Sequence, residues 1–159
     1  MGKTNAKGKI GEAMILADLQ RQGHGVAIPF GHDLPFDLIV VRKEDGALEK
    51  MRCKYTTSDG RVVIAKVLST SAWVSHRYTK DEADWVAVYD ATTQRCFYLP
   101  SAEWGGQAFV DLRLVSAVNR QANGIRNADD FTDLTGSASS PRSPRPATAL
   151  PLPLDLPPE

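Results

Sequence analysis

A chain of 159 residues has room for one compact domain with a real core and not for two. Its nineteen Lys and Arg balance nineteen Asp and Glu, which excludes a polycation that coats nucleic acid indiscriminately, so any phosphate binding must be local. The two cysteines, Cys53 and Cys96, lie in apolar segments with no signal core ahead of them and read as reduced thiols, not a disulfide framework. No run reaches the ~18 apolar residues of a membrane helix, and the expectation is a soluble cytoplasmic protein with no membrane partner.

Lys3, Lys7 and Lys9 precede the first acid, Glu12, as a local basic cluster that is either a solvated start or a phosphate contact. From about Lys9 to Gln22, Ile10, Ala13, Met14, Leu16 and Ala17 recur at helical spacing, with Glu12, Asp18, Gln20 and Arg21 mostly opposite. This predicts an amphipathic helix closed by Gly23 and Gly25. A short apolar run, "VAIPF", and a polar loop, "GHDL", lead to "PFDLIVVRK", whose β-branched run bounded by Pro and charge predicts a buried strand. "EDG" turns the chain into "LEKMRCKYTT", and "SDG" turns it again into "RVVIAKVL", giving three antiparallel strands in succession. Residues 69 to 83 carry no clear period and read as a loop or short helix. "DWVAVYD" and "CFYLP" follow as strands joined by "ATTQR", "SAEW" opens a helical turn after Pro100, and "DLRLV" is one more short strand. The order predicts an α/β (α+β) fold, a layered mixed sheet with helices, over residues 1–135. From Gly136 the composition turns to Pro, Ser and Ala without period, predicting a disordered tail over 136–159 whose "LPLDLP" stretch is solvated or a short docking peptide.

Alternation within "EKMRCKYTT" puts Met51, Cys53 and Tyr55 on one strand face and Arg52, Lys54 and Thr56 on the other, so two cations share a surface. Asp37 stands at the lip of the "LIVV" strand, where an acid must stay solvated, pair with Arg52 or Lys54 across the hairpin, or bind a metal. His24, His32 and His76 lack metal-ligand spacing with the cysteines, and there is no Walker-type phosphate loop. Trp73, beside Ser71, Ser75, His76 and Arg77, is either a base-stacking contact or packing, and Trp85 within its apolar strand reads as core.

The helix "GKIGEAMILADLQRQG", the Asp of "PFDLIVV" and the triplet "RCK" together resemble the PD-(D/E)XK nuclease superfamily. The branch most similar includes archaeal Holliday-junction resolvases and group I intron homing endonucleases with a restriction-enzyme-like fold. There the chain often opens with a "G-x-x-G-E" helix and has "xxDLVV" followed by "Q-x-K", where the superfamily at large has an acid-X-Lys triplet; the likeness spans about residues 7 to 132. It implies a restriction-endonuclease-like sheet, a DNA substrate, and Mg2+ (or Mn2+) held by Asp37, by Glu12 and by the backbone carbonyl of Cys53. Lys54 would orient the attacking water or stabilise the phosphoryl charge. Lys3, Lys7, Lys9 and Arg21 would contact the flanking phosphates of DNA, with Trp73 the candidate for a base contact, and cutting two strands with one site per chain implies a homo-oligomer, dimer or tetramer. Arg52 departs from the pattern, because a guanidinium cannot coordinate Mg2+ where the family carries Glu, Asp or Gln. Three accounts follow: a nuclease working on the remaining ligands, a nuclease in which Arg52 clamps a phosphate, and a degenerate copy that binds DNA without cutting.

Overall fold

The computed structural model describes residues 2–31, 33–71, 74–115 and 126–135; the predicted tail at 136–159, His32 and Trp73 lie outside these ranges. Helix α1 (Lys3–Arg21) leads into strands β1 (Gly25–Ala27), β2 (Leu38–Val41), β3 (Leu48–Thr56), β4 (Val62–Lys66), β5 (Leu68–Ser71) and β6 (Val74–Arg77). There follow β7 (Trp85–Asp90), β8 (Arg95–Pro100), a one-turn helix α2 (Ser101–Trp104), β9 (Phe109–Arg113), β10 (Arg126–Asn127) and a 3-10 turn (Ala128–Phe131).

A five-stranded mixed sheet, ordered β1-β2-β3-β7-β8, forms the middle layer. Its β3–β7 pair is parallel and its other pairs are antiparallel. All six positions of β7 are buried, as a strand covered on both faces requires, and its sequence "WVAVYD" is accordingly apolar almost throughout. On one face α1 sets Ile15 and Leu19 against Leu38, Val40, Met51, Trp85, Ala87 and Tyr98. On the other, a three-stranded sheet ordered β10-β9-β4 presents Val63, Ala65, Val110 and Leu112 to Val86, Val88, Phe97 and Leu99. Burial of such side chains contributes about 1.5–3 kcal/mol each, so these two apolar layers carry the fold. The result is the predicted mixed α+β layered sheet. Among the described residues no helix is long and apolar enough to cross a membrane. Both cysteines are free and half-buried, and burial pushes the Cys96 thiol up to about 12 and the Cys53 thiol well above its usual range.

Four local expectations are corrected. The helix begins at Lys3 rather than Lys9. Its inward stripe is Gly11, Ile15 and Leu19, while Ile10 and Met14 remain 50% and 39% exposed. The cause is a close approach: a Cβ added to Gly11 would lie 3.2 Å from Tyr55 Cβ and 3.4 Å from the Lys54 carbonyl, so α1 rests its glycine directly on β3. The third strand, β4, does not join β3 in a meander; it pairs antiparallel with β9, and β7 takes the place beside β3. Finally, part of the stretch taken for loop or helix is the antiparallel ribbon β5–β6.

Candidate active site

Asp37 lies one step beyond the last β2–β3 ladder pair, Leu38 with Met51, which places it opposite Arg52. Its own amide donates to the Met51 carbonyl at 2.9 Å, and its Oδ2 accepts the Cys53 amide at 2.7 Å. The N–H and C=O of one strand residue point toward the same neighbour, so the Cys53 carbonyl is turned to the edge that Asp37 occupies, past the end of β2. Asp37 Oδ1 is 3.4 Å from Arg52 Nη1, long beside the ~2.7–2.9 Å of a good charge-assisted bond. Both side chains keep part of their surface open, 25% for Asp37 and 19% for Arg52.

The two-cation face of β3 is reconciled by one ring. The Arg52 guanidinium and the Lys54 ammonium lie 4.9 and 5.0 Å from the centroid of Tyr78, whose π face attracts both. Arg52 Nη2 also donates to the Tyr78 hydroxyl at 3.3 Å. Burial works against the Arg52 charge, but Asp37 and Tyr78 outweigh it and raise the guanidinium further above its usual range. Arg52 Nε is buried with no hydrogen-bond partner. Tyr78 itself is 3% exposed and is a site residue that sequence reasoning missed, since its stretch carried no period.

The contact of Gly11 with β3 brings the next residue, Glu12, to the same corner. Lys9 Nζ bonds Glu12 Oε2 at 2.9 Å one turn back on α1. Lys9, Glu12, Asp37 and Arg52 together line an open pocket of about 170 Å³, walled by Ile28, Pro29, Gly31, Leu34 and Phe36. The structure therefore unites Glu12, Asp37, Arg52 and Lys9. Lys54 stands outside the pocket lining, on Tyr78. Lys7 lies 5.9 Å over Tyr55, on the α1 side of the sheet, and Lys3 is in the first helical turn. Arg21 is not brought in: nine residues and about 14 Å along the helix from Glu12, it pairs with Asp18 at 2.7 Å beside a separate hollow near Cys96. The apolar walls were also missed, because a search for chemistry passes over Ile28 and Phe36.

Among the described residues no three His, Cys, Asp or Glu side chains gather as a metal site. The oxygen set at hand is Asp37, Glu12 and the Cys53 carbonyl. Mg2+ characteristically takes one or two carboxylates and keeps several waters, so this set fits a weak site that has to contend with two cations, Arg52 and Lys9, in the same pocket.

Comparison with known proteins accords with this geometry. No curated protein matches the chain. The solved structure of a bacterial homing endonuclease, I-Ssp6803I, superposes with a TM-score of 0.55 and 23% identity, over 76% of this chain and 84% of that one. At that identity the likeness is one of fold. The family model of the PD-(D/E)XK endonucleases matches residues 2–134, from the start of α1 to the last described turn, and the chain belongs to that family.

Proposed function

We propose that the protein is an endonuclease that hydrolyses DNA phosphodiester bonds with Mg2+ (or Mn2+), of homing or junction-resolving type. The observation that carries this reading is the convergence of Glu12, Asp37 and Arg52 on one open pocket in a chain of an endonuclease family. Asp37, Glu12 and the Cys53 carbonyl would hold the ion, which supplies a water deprotonated near neutral pH and a counter-charge for the phosphoryl oxygens. Lys9 holds Glu12 only from an exposed position, so an arriving phosphate can draw its ammonium away and free the carboxylate. Arg52, which lines the pocket and keeps 19% of its side chain open, donates from its guanidinium to a non-bridging oxygen of the scissile phosphate. Lys54, held on Tyr78 beside it, stabilises the charge that grows on the phosphoryl group. Lys3 and Lys7, on the first turns of α1, contact flanking phosphates. Two copies of the chain would cut two strands, and the match over residues 2–134 supports a catalytic unit of residues 1–135.

The experiment is plasmid nicking in Mg2+ or Mn2+ against EDTA, run beside a gel shift. Metal-dependent nicking is expected. A second reading, a module that binds DNA without cutting, is favoured by the Arg52–Asp37 ion pair, because a guanidinium already occupies the outer oxygen of the principal ligand. Shifted DNA with no nick in either metal would establish that second reading in place of the first.

A further inference from the structure

The loop between β1 and β2 carries apolar side chains into solvent at the mouth of the pocket. Phe30 is fully exposed, at 105% of its reference surface, with Ile28 at 70% and Leu34 at 46%. A phenylalanine in water forgoes the largest apolar gain its side chain can make, and a cluster of such residues marks a surface meant to be covered. The loop holds Phe30 between Pro29, which fixes its own φ, and Gly31, whose φ of +96° suits glycine alone. Pro29 and Gly31 both line the pocket with Glu12, Asp37 and Arg52, which sets the Phe30 backbone at its edge, while the ring lies wholly in solvent and outside the core.

We propose that Phe30, flanked by Ile28 and Leu34, is a wedge that stacks on an unpaired or unstacked nucleobase beside the scissile phosphate. The preferred substrate is then DNA distorted at the cut, and continuous duplex is the poorer one. The proposal rests on the nuclease reading of the pocket. A phosphate bound in the pocket between Arg52 and Lys9 brings its own nucleotide to the rim, and a flat aromatic face there offers any base a stacking partner without reading its sequence. A second copy of the chain is the competing occupant. It would have to bury this loop together with the rim of a pocket holding four charged side chains, at the cost of desolvating them.

The test is binding in EDTA, where nothing is cut. Two probes of one sequence are used, a continuous duplex and the same duplex with one extra unpaired 2-aminopurine. Wild type is expected to bind the bulged probe about tenfold more tightly and to change its fluorescence, as stacking on an aromatic side chain implies. Phe30→Ala should bind both probes alike with an unchanged melting temperature, and Phe30→Trp should keep the preference. Equal binding of the two probes by wild type, or a preference that survives Phe30→Ala, overturns the wedge. So does a dimer that becomes a monomer in Phe30→Ala while the preference persists, which assigns the patch to a second copy. Loss of nicking with the preference intact would instead count against the catalytic reading alone.

Discussion

Asp37 and Asp90 are both strand-end aspartates beside β3, and they are saturated to different degrees. Asp90 ends β7, is 0% exposed, and accepts hydrogen bonds from the Ser58 amide and hydroxyl at 2.8 Å each and from the Thr93 hydroxyl at 2.7 Å. The amides of Thr92 and Thr93 add longer contacts at 3.3 and 3.2 Å. Asp37 has one good donor, the Cys53 amide, one long ion pair, and a quarter of its side chain open to the pocket. A carboxylate whose lone pairs are all filled by its own chain is a pin that holds two turns in register. One left with capacity facing a pocket is available to something outside the chain.

The largest effect should separate the two. Asp37→Asn keeps an oxygen for the Cys53 amide and loses the charge, so nicking should fall on the order of a thousandfold while melting moves little. Cleavage within a few-fold of wild type would remove Asp37 from the chemistry. Asp90→Ala should do the reverse, because it strands the Ser58 and Thr93 donors and should cost about 3 kcal/mol, or on the order of 10 °C in melting. Below its transition that variant should nick normally, measured as initial rate at a temperature where circular dichroism shows it folded. A folded but inactive Asp90→Ala would mean the two aspartates do not divide in this way.

Arg52 sharpens the same contrast, since its guanidinium partly fills Asp37. Where it blocks metal, Arg52→Gln and Arg52→Glu should raise nicking at low Mg2+ by roughly three- to tenfold, and the carboxylate variant should need the least metal. Where it clamps phosphate, both changes should lower the rate about ten- to a hundredfold. The long 3.4 Å pairing with Asp37 holds the guanidinium loosely and leaves it available to phosphate, which favours the loss. Initial nicking rate against Mg2+ concentration distinguishes the two signs.

The parts of this site that were legible in the sequence are those whose signal is local. The Asp of "PFDLIVV" and the alternation of "MRCKYT" sit on adjacent antiparallel strands, so one hairpin fixes their relation, and Glu12 follows from a helix that must pack on that hairpin. The helix face was misjudged because two stripes compete, and the one that wins contains Gly11, whose value is the absence of a side chain. The ribbon β5–β6 was invisible because Val74, Ser75, His76 and Arg77 are all exposed, and a strand with no buried face imprints no period. Tyr78 follows directly, so the ring that joins Arg52 to Lys54 went with it. The pairing of β4 with β9 crosses more than forty residues and leaves no mark on either strand's own pattern.

The smallest expected effect concerns a buried group that serves only the fold. His24 is 4% exposed, and its Nδ1 accepts the Lys43 amide at 3.2 Å, which requires that nitrogen to be unprotonated. Burial holds the imidazole below its ordinary 6.5; Arg42 and Lys43 act in the same direction, and Glu44 and Glu49 oppose it. Well above pH 6.5 the folded and unfolded chains are both neutral at this position and it contributes no pH dependence. As pH falls below that value the unfolded chain takes up a proton that the native chain refuses, so stability declines until the folded pKa is reached and is flat beyond it. Asp90 behaves as a second limb much lower down. Burial would raise its carboxyl, but the Thr93 hydroxyl and the Ser58 amide outweigh burial, so its contribution is complete above about 3.8 and is lost only as pH drops through its depressed folded value. Melting temperature recorded from about pH 7.5 to about pH 5 should therefore fall modestly in wild type and become flatter in His24→Gln, with relative nicking across that range the same in both proteins. A wild-type profile that is flat over this window, or a slope identical in the variant, would show that some other group sets the upper limb. A nicking profile that changed with His24 would show that the fold-only polar groups and the pocket are not separable after all.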